Sequence, residues 1–379
     1  MEPWKNHLFI VFCVDHYNPL GIIRSLGENG IAPRVIVVDE GCAPLVSSSK
    51  YASDVRRVCS IDEGFSALID IIDAYDSFLP FVITSDDEIE SHLDMHYDDL
   101  AGKCYFFNAG RAGGVTCYMN KDAINKLAIE CGLKVLDAVA VRRGDLAHGL
   151  QYPLITKSIA SIVGGWKDDV FICHNESELA AAYKRISSDD VLLQRYIEKK
   201  NECALEGISV LHGDEVFVSI ASSYNYLLPS SYSPYMTVSN FDDVDIVCAL
   251  KTMMAKIRFE GIFEAEFLVD ADGERYFCEI NFRNSTWSYA STCAGMPLPV
   301  LWAKAMVEGG ISEEIRKEVP EGFSAMVEPT DFKERVLKKR TGLVGWLRDL
   351  RRCDCRYYLG KKDCKPVVSF LADRMTRRK

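Results

Sequence analysis

Residues 263–283 read FEAEFLVDADGERYFCEINFR, and this stretch decides the fold. Alternating polar and apolar residues flank Asp272-Gly273, which predicts a β-hairpin because glycine tolerates the positive φ of a tight turn. With that turn, Glu264 faces Asn281 and Glu266 faces Glu279. Strand alternation puts the side chains of one face in core and gives the other face a polar set: Glu264, Glu266, Leu268, Asp270, Arg275, Phe277, Glu279, Asn281 and Arg283.

The facing glutamates predict a cation site. Carboxylates on opposed strand positions have Cβ atoms about 5 Å apart, so Glu266 and Glu279 repel each other unless a positive charge lies between them. Carboxylate oxygens and the Asn281 amide are ligands that Mg²⁺ prefers, with substrate phosphates completing its shell. We expect these three residues to bind Mg²⁺, with Mn²⁺ as the alternative ion. The competing interpretation is a solvated acidic face with a salt bridge from Arg283.

Glu266 followed by the run Glu279-Ile280-Asn281-Phe282-Arg283 resembles the metal-binding end of the ATP-grasp ligases, usually E-[IV]-N-P-R. Phe282 stands where the family has proline, which changes backbone shape and removes no ligand. The resemblance implies that the metal lies on the phosphates of ATP. It also implies that Arg283 is catalytic and contacts the transferring phosphate.

Other positions resemble the nucleotide site of the same family. Lys121 opposes the dipole of the helix that it begins, and Lys157 shares an apolar strand face, so both need an explanation. The resemblance implies that they bind the ATP phosphates, with Lys157 also catalytic; an exposed surface lysine is the alternative for Lys121. It further implies that a phosphate-binding loop contains Gly164 and Gly165. The hinge that binds adenine would consist of Gln194, Arg195, Tyr196 and Ile197. The acid that binds ribose would be either Glu202 or Glu206.

The order of elements predicts an α/β protein. In residues 1–100 strands alternate with helices, which indicates a Rossmann-like parallel sheet; no G-x-G-x-x-G follows the first strand, which disfavours an NAD enzyme. Asn18 and Ser85 suit helix N-caps, and the strand ends near them suit a ligand. The resemblance implies a two-subdomain ATP-grasp clamp over 101–325, with a small lid subdomain at about 152–205 and a central subdomain at about 206–325. Residues 219–238, rich in Ser, Tyr and Pro, predict a substrate lid or a plain connection.

Residues 326–379 form a basic C-terminal segment. From Asp331 to Lys379 there are 16 Lys and Arg against 6 Asp and Glu, although the whole chain has a net charge of −11. The segment could dock on the acidic body, contact anionic lipid, or help to hold a phosphate-bearing substrate. These three interpretations remain open.

Composition places the chain among ordinary globular proteins. Its 379 residues are 48% hydrophobic and 26% charged, enough for two or three cores. The apolar run near the N-terminus is too short for a membrane span, and the 14 cysteines lack any C-x-x-C pair, so we expect a cytoplasmic protein with reduced thiols. We expect no nucleic acid partner, and a homodimer is one arrangement to test.

The resemblance implies an ATP-dependent ligase that activates a carboxylate as an acyl phosphate and joins it to an amine. The opening D-H-Y-N-P-L-G-x-x-R-S-L and the basic tail are most similar to the D-aspartate ligase and carbamoyl-phosphate-synthase-like group, which suggests an amino-acid ligase acting on a peptidoglycan precursor. The alternatives are an ATP-grasp kinase of a small molecule and a non-catalytic ATP-binding protein.

Overall fold

The computed structural model describes residues 2–39, 41, 44–146, 149–159, 169–228, 232–360 and 362–376. Its strands, in chain order, are β1 (Phe9–Val14), β2 (Arg34–Val38), β3 (Asp54–Val58), β4 (Phe81–Ile83), β5 (Ala138–Arg142), β6 (Leu154–Ser158), β7 (Ile172–Cys173), β8 (Asp190–Arg195), β9 (Asn201–Val210), β10 (Glu215–Tyr224), β11 (Tyr235–Ser239), β12 (Gly261–Val269), β13 (Arg275–Asn281), β14 (Ser324–Met326) and β15 (Cys355–Arg356). The α-helices are α1 (Tyr17–Glu28), α2 (Ile61–Asp73), α3 (Asp87–Met95), α4 (Tyr97–Leu100), α5 (Lys121–Glu130), α6 (Glu176–Tyr183), α7 (Val244–Ile257), α8 (Ser288–Cys293), α9 (Leu298–Glu308), α10 (Glu328–Asp331), α11 (Leu343–Arg352) and α12 (Lys365–Thr376).

The N-terminal part is the predicted parallel sheet, with strand order β3-β2-β1-β4. The central strand β1 is apolar on both faces because helices cover the sheet on both sides. The two predicted helix caps are wrong. The N-cap of α1 is His16, and Asn18 lies inside the helix. The N-cap of α3 is Asp86 and not Ser85, since the Asp86 carboxylate accepts from the Glu88 and Ile89 N–H groups at 3.0 and 3.1 Å.

A second, antiparallel sheet has the order β5-β8-β6-β7. It packs its own small core against α6. In the sequence this sheet begins with β5, before the predicted lid subdomain of 152–205, and its last strand is β8, which ends at Arg195. Strand β9 begins within that range but pairs with β10 and β12 in the large sheet.

The large sheet contains the predicted hairpin, β12 and β13, in the order β13-β12-β9-β10-β11-β14-β15. The register at the polar end is confirmed, since Glu264 pairs with Asn281 and Glu266 with Glu279. Beyond that point the prediction is wrong. Phe267 pairs with Phe277, so Cys278 is an extra residue, and this β-bulge turns Phe277 into the core at 1% exposure.

The Ser/Tyr/Pro-rich region is shorter than the sequence suggested. Strand β10 continues to Tyr224 and β11 begins at Tyr235, so only residues 225–234 connect them, of which 229–231 lie outside the described residues. The hydroxyl groups of Tyr232 and Tyr17 are hydrogen-bonded to each other. The connection therefore contacts the first residue of α1, just after β1.

The C-terminal segment docks on the body. Strand β15 pairs with β14, and the Glu328 carboxylate accepts from the backbone N–H groups of residues 357–359 at 2.8–3.0 Å. Arg24 of α1, 1% exposed, donates to the Tyr357, Tyr358 and Asp363 carbonyl groups and to the Asp363 carboxylate, at 2.6–3.3 Å. None of the helices in the described residues is long and apolar enough to cross a membrane.

Candidate active site

Lys121 and Glu279 form the first contact of the candidate site. Asn120 caps α5 by accepting from the Asp122 and Ala123 N–H groups, which places Lys121 at the first helical position. The Lys121 ammonium donates to the Glu279 carboxylate, and these side chains are only 14% and 29% exposed. The ammonium lowers the pKa of Glu279. Lys121 therefore supplies positive charge beside the facing glutamates.

Glu266 and Asn281 lie beside this ion pair on the same face. The Asn281 amide Nδ2 donates to Glu264 Oε2 at 2.9 Å and to Glu266 Oε1 at 3.1 Å. Burial, and then the nearby Glu264 and Glu279 carboxylates, raise the pKa of Glu266 well above its usual value. Additional positive charge at this position would therefore favour the ionised Glu266.

The donor set can be compared with what Mg²⁺ requires. In the described ranges no three His, Cys, Asp or Glu side chains are grouped to hold a metal ion. The three predicted ligands nevertheless each retain one oxygen that accepts no hydrogen bond from the described chain: Glu266 Oε2, Glu279 Oε1 and Asn281 Oδ1. Two carboxylates and an amide suit Mg²⁺ when substrate phosphates supply further ligands. The residues present therefore fit the ion.

Behind these residues lies a buried acid pair. Glu206 on β9 faces Glu264 on β12, and the two side chains are almost completely buried. Glu206 accepts from the Ser285 and Ser288 hydroxyl groups, each at 2.6 Å. Burial, together with the other carboxyl group, raises the pKa of Glu264 well above its usual value. The pair therefore takes up a proton more readily than two exposed carboxylates would.

Arg283 follows the hairpin and reaches the N-terminal sheet. Its Nε and Nη2 donate to the two carboxylate oxygens of Asp87 at 2.9 and 3.1 Å, a bidentate pair that fixes the guanidinium plane. Its Nη1 donates to no group in the described chain, so it is available to an anion. Asp87 was missed at the sequence level, because its contact with an arginine 196 positions later has no local signal.

Lys157 on β6 belongs to the small sheet but contacts the hairpin. Its ammonium donates to Gln194 Oε1 at 2.8 Å and lies 3.7 Å from the Cys278 sulfur. The bulge is what turns Cys278 toward Lys157. The sequence interpretation missed Cys278 because strict alternation assigned it to the core.

The predicted hinge connects the two sheets. The N–H groups of Arg195 and Tyr196 donate to the Asp137 and Pro153 carbonyl groups at 2.8 and 2.9 Å. The N–H of Ile197, in contrast, donates to nothing in the described chain. The Gln194 side chain is buried, and its Oε1 accepts from Lys157.

The structure separates the two candidates for the ribose acid. Glu202 lies near the hinge, is 20% exposed, and accepts from the Tyr224 hydroxyl at 2.6 Å and from Lys199. Glu206 is buried and already bonded to two serines, so its position does not support contact with ribose. Gly164 and Gly165, the predicted phosphate loop, lie outside the described residues.

The segment after Arg283 contacts the first turn of α1, just after β1. Asn284 and Asn18 exchange hydrogen bonds, with the Asn18 amide donating to the Asn284 carbonyl at 3.2 Å and the Asn284 amide donating to Asn18 Oδ1 at 3.0 Å. The residues that follow the carboxyl end of β1 therefore lie close to Arg283.

No family model matches the chain, and no curated protein sequence matches it significantly. Solved structures do match. N5-carboxyaminoimidazole synthetase from Staphylococcus aureus is 15% identical, with a TM-score of 0.65 over 88% of this chain and 85% of the other. L-amino acid ligase from Bacillus licheniformis is 15% identical, with a TM-score of 0.59 over 80% and 74%. Biotin carboxylase from Campylobacter jejuni is 17% identical, with a TM-score of 0.60 over 81% and 73%. The chain has the ATP-grasp fold of these proteins, which confirms the predicted fold.

Proposed function

We propose that this chain, built on the ATP-grasp fold, is an ATP-dependent ligase that joins a carboxylate to an amine through an acyl phosphate. One observation carries the proposal. Lys121 and Lys157, from a helix and from the small sheet, contact Glu279 and Cys278 on one face of the hairpin. The site thus combines lysines with carboxylates that can bind a metal ion, and these side chains come from separate elements. This combination suits a nucleoside triphosphate with its metal ion.

The nucleotide would lie along the hinge. The free Ile197 N–H would donate to the adenine ring, Glu202 would accept from a ribose hydroxyl, and the two lysines would bind the phosphates. The Lys121 ammonium has three N–H donors and uses one of them for Glu279, so it can also donate to a phosphate oxygen. Glu202, being partly exposed beside the hinge, is preferred to the buried Glu206.

Glu266, Glu279 and Asn281 would hold Mg²⁺, with Mn²⁺ as the substitute. When bound, the ion neutralises charge on the phosphates. The residues themselves orient ligand oxygens: the Asn281 amide, by donating to two glutamates, keeps its own oxygen turned outward.

Arg283 is suited to the transferring phosphate because Asp87 fixes its plane and leaves Nη1 free. A carboxylate oxygen of the substrate attacks the γ-phosphorus of ATP, the bond to the bridging oxygen breaks, and ADP leaves. The amine then attacks the acyl carbon, loses a proton, and inorganic phosphate departs. Phosphate is needed because an oxide ion is a poor leaving group.

An amino acid is our preferred carboxylate, and a peptidoglycan precursor our preferred acceptor. Support comes from the likeness to an L-amino acid ligase and from the sequence resemblance of the first helix and its flanks. We infer a cytoplasmic setting, which ATP supply and the unpaired thiols of the described cysteines support. A homodimer remains part of the proposal to be tested.

The test is ADP release measured with a panel of amino acids, with and without amine acceptors, together with hydroxylamine trapping of the acyl phosphate. We expect ADP release only when both the carboxylate and the amine are present. When hydroxylamine replaces the amine, we expect a hydroxamate to form. A phosphorylated product formed without any amine would identify a kinase instead. ATP binding with no turnover across the panel would identify a nucleotide-binding protein.

The variant Glu279→Gln should fold and lose Mg²⁺-dependent turnover. Its matched control is Glu274→Gln, at the exposed turn of the same hairpin, where Lys134 is the ion-pair partner of the carboxylate among the described residues. Full activity in Glu279→Gln would refute the assignment.

A further inference from the structure

Within the described residues, helix α11 contacts the body through one side. Trp346 packs edge-on against Phe332, with ring centroids 5.0 Å apart, and its indole N–H donates to Asp331 at 2.8 Å. Arg335 pairs with both Asp331 and Asp349, which holds the helix over residues 332–337. The orientation of the helix is therefore defined.

The opposite side of α11 is apolar and exposed to water. Leu343, Val344 and Leu347 are 51%, 82% and 49% exposed, and Leu337, just before the helix, is 64% exposed. Positions 343, 344 and 347 lie within about 100° of one another around a helix, so the three form one edge. We call these four residues the α11 apolar edge. Single exposed apolar residues are ordinary, but four within eleven positions are not.

Basic side chains border the α11 apolar edge. Lys339, Arg340, Arg351 and Arg352 are exposed, and in the described part of the chain none of them has a carboxylate within 4 Å. Lys338, in contrast, is paired with Glu334. Arg351 and Arg352 suit the helix C-terminus, but Lys339 and Arg340 precede the helix and gain nothing from its dipole.

We propose that the α11 surface, consisting of the α11 apolar edge and these four cations, binds an anionic lipid bilayer. A short amphipathic helix with leucines on one edge and arginines beside them lies in the plane of a membrane interface, with the apolar side chains among the acyl chains and the cations among the headgroups. A soluble polyanion would neutralise the cations but leave the leucines in water. The exposed leucines therefore favour a bilayer over a free phosphate ligand.

This inference does not depend on the proposed reaction, because none of its residues belongs to the candidate active site. Its test is co-sedimentation of the full chain with vesicles of phosphatidylcholine alone or with about 30% phosphatidylglycerol, at low and high salt. We expect binding only to the anionic vesicles, and its loss at high salt.

Two double variants separate the contributions. Val344→Asp with Leu347→Asp, and Arg351→Glu with Arg352→Glu, should each lower the partition coefficient at least ~10-fold. The matched control is Val244→Asp, which changes an exposed valine, 69% accessible, in the first turn of α7. Circular dichroism and thermal unfolding check that every variant is folded.

Three results would overturn the proposal. The first is equal binding of the native chain to neutral and anionic vesicles, or none to either. The second is unchanged binding by the Val344→Asp, Leu347→Asp variant, which would mean that charge alone is involved. The third is a dimer in the absence of lipid that this variant abolishes, which would identify a second copy of the chain as the occupant.

Discussion

Replacing Lys121 with methionine should destabilise the ligand-free protein through one interaction. Methionine keeps the length of the side chain but removes the cation that pairs with Glu279, leaving that carboxylate opposite Glu266. Unit charges about 4 Å apart attract each other by about 4 kcal/mol at an effective dielectric constant of about 20. The side chains are 14% and 29% exposed, so water screens part of this. We expect a loss of about 2 kcal/mol, between the values for exposed and fully buried pairs.

A double-mutant cycle with Lys121→Met and Glu279→Gln isolates the pair. The free energy of unfolding is measured in urea without nucleotide, and the expected coupling is about 1.5–2 kcal/mol. Because the folded pKa of Glu279 is lowered, its contribution is present above the unfolded pKa of 4.5 and is lost as the pH falls through the folded value. The difference between native and Lys121→Met proteins should therefore shrink in acid.

The matched control is Lys126→Met, which lies on the same helix with a side chain 71% exposed and should change stability by less than ~0.5 kcal/mol. Equal destabilisation by Lys121→Met and Lys126→Met, or a coupling energy below ~0.5 kcal/mol, would refute the reasoning.

Three further predictions concern the same site. Asp87→Asn should lower kcat about 10–100-fold with little change in the KM for ATP, because Arg283 loses the charge that orients it; steady-state kinetics with an unchanged kcat would contradict this. Glu264→Gln should raise Tm relative to the native protein at pH 8 more than at pH 5. Burial raises the folded pKa of Glu264 above the unfolded value of 4.5, so the stability contributed by its proton is complete below pH 4.5 and is lost as the pH rises through the folded pKa; a pH-independent difference would count against the buried acid pair. MgATP should protect Cys278 from alkylation, as measured by peptide mass spectrometry, while exposed Cys248 reacts at the same rate; equal labelling of Cys278 with and without nucleotide would separate it from the phosphate site.

The sequence predicted the elements whose signals are local. The Asp-Gly turn and the alternation around it fix the polar end of the hairpin, and a continuous apolar run marks β1. Strand β3 escaped prediction because DVRRV is a mostly exposed edge strand, and an edge facing water needs no apolar alternation. The bulge at Cys278 also lacks a local signal, since no glycine marks it.

The sequence predicted which residue types form the site but not which of their side chains contact each other. A lysine at a helix start and two facing glutamates each suggest a bound charge, but their direct pairing depends on how α5 packs on β13. From the sequence alone, Glu202 and Glu206 are equally good candidates for the ribose acid, since both are glutamates and they lie only four positions apart. Only the fold shows that one lies at the hinge and the other lies in the interior, bonded to serines that follow Arg283.

Arg24 clasps the C-terminal segment to the N-terminal sheet through four acceptors in the dry interior, and β15 continues the large sheet. The N-terminal sheet and the large sheet are therefore held together as one frame. Separating them would leave the buried Arg24 guanidinium without hydrogen-bond partners. We expect any opening around a nucleotide to move the small sheet, β5-β8-β6-β7, relative to this frame, and to carry Lys157 with it.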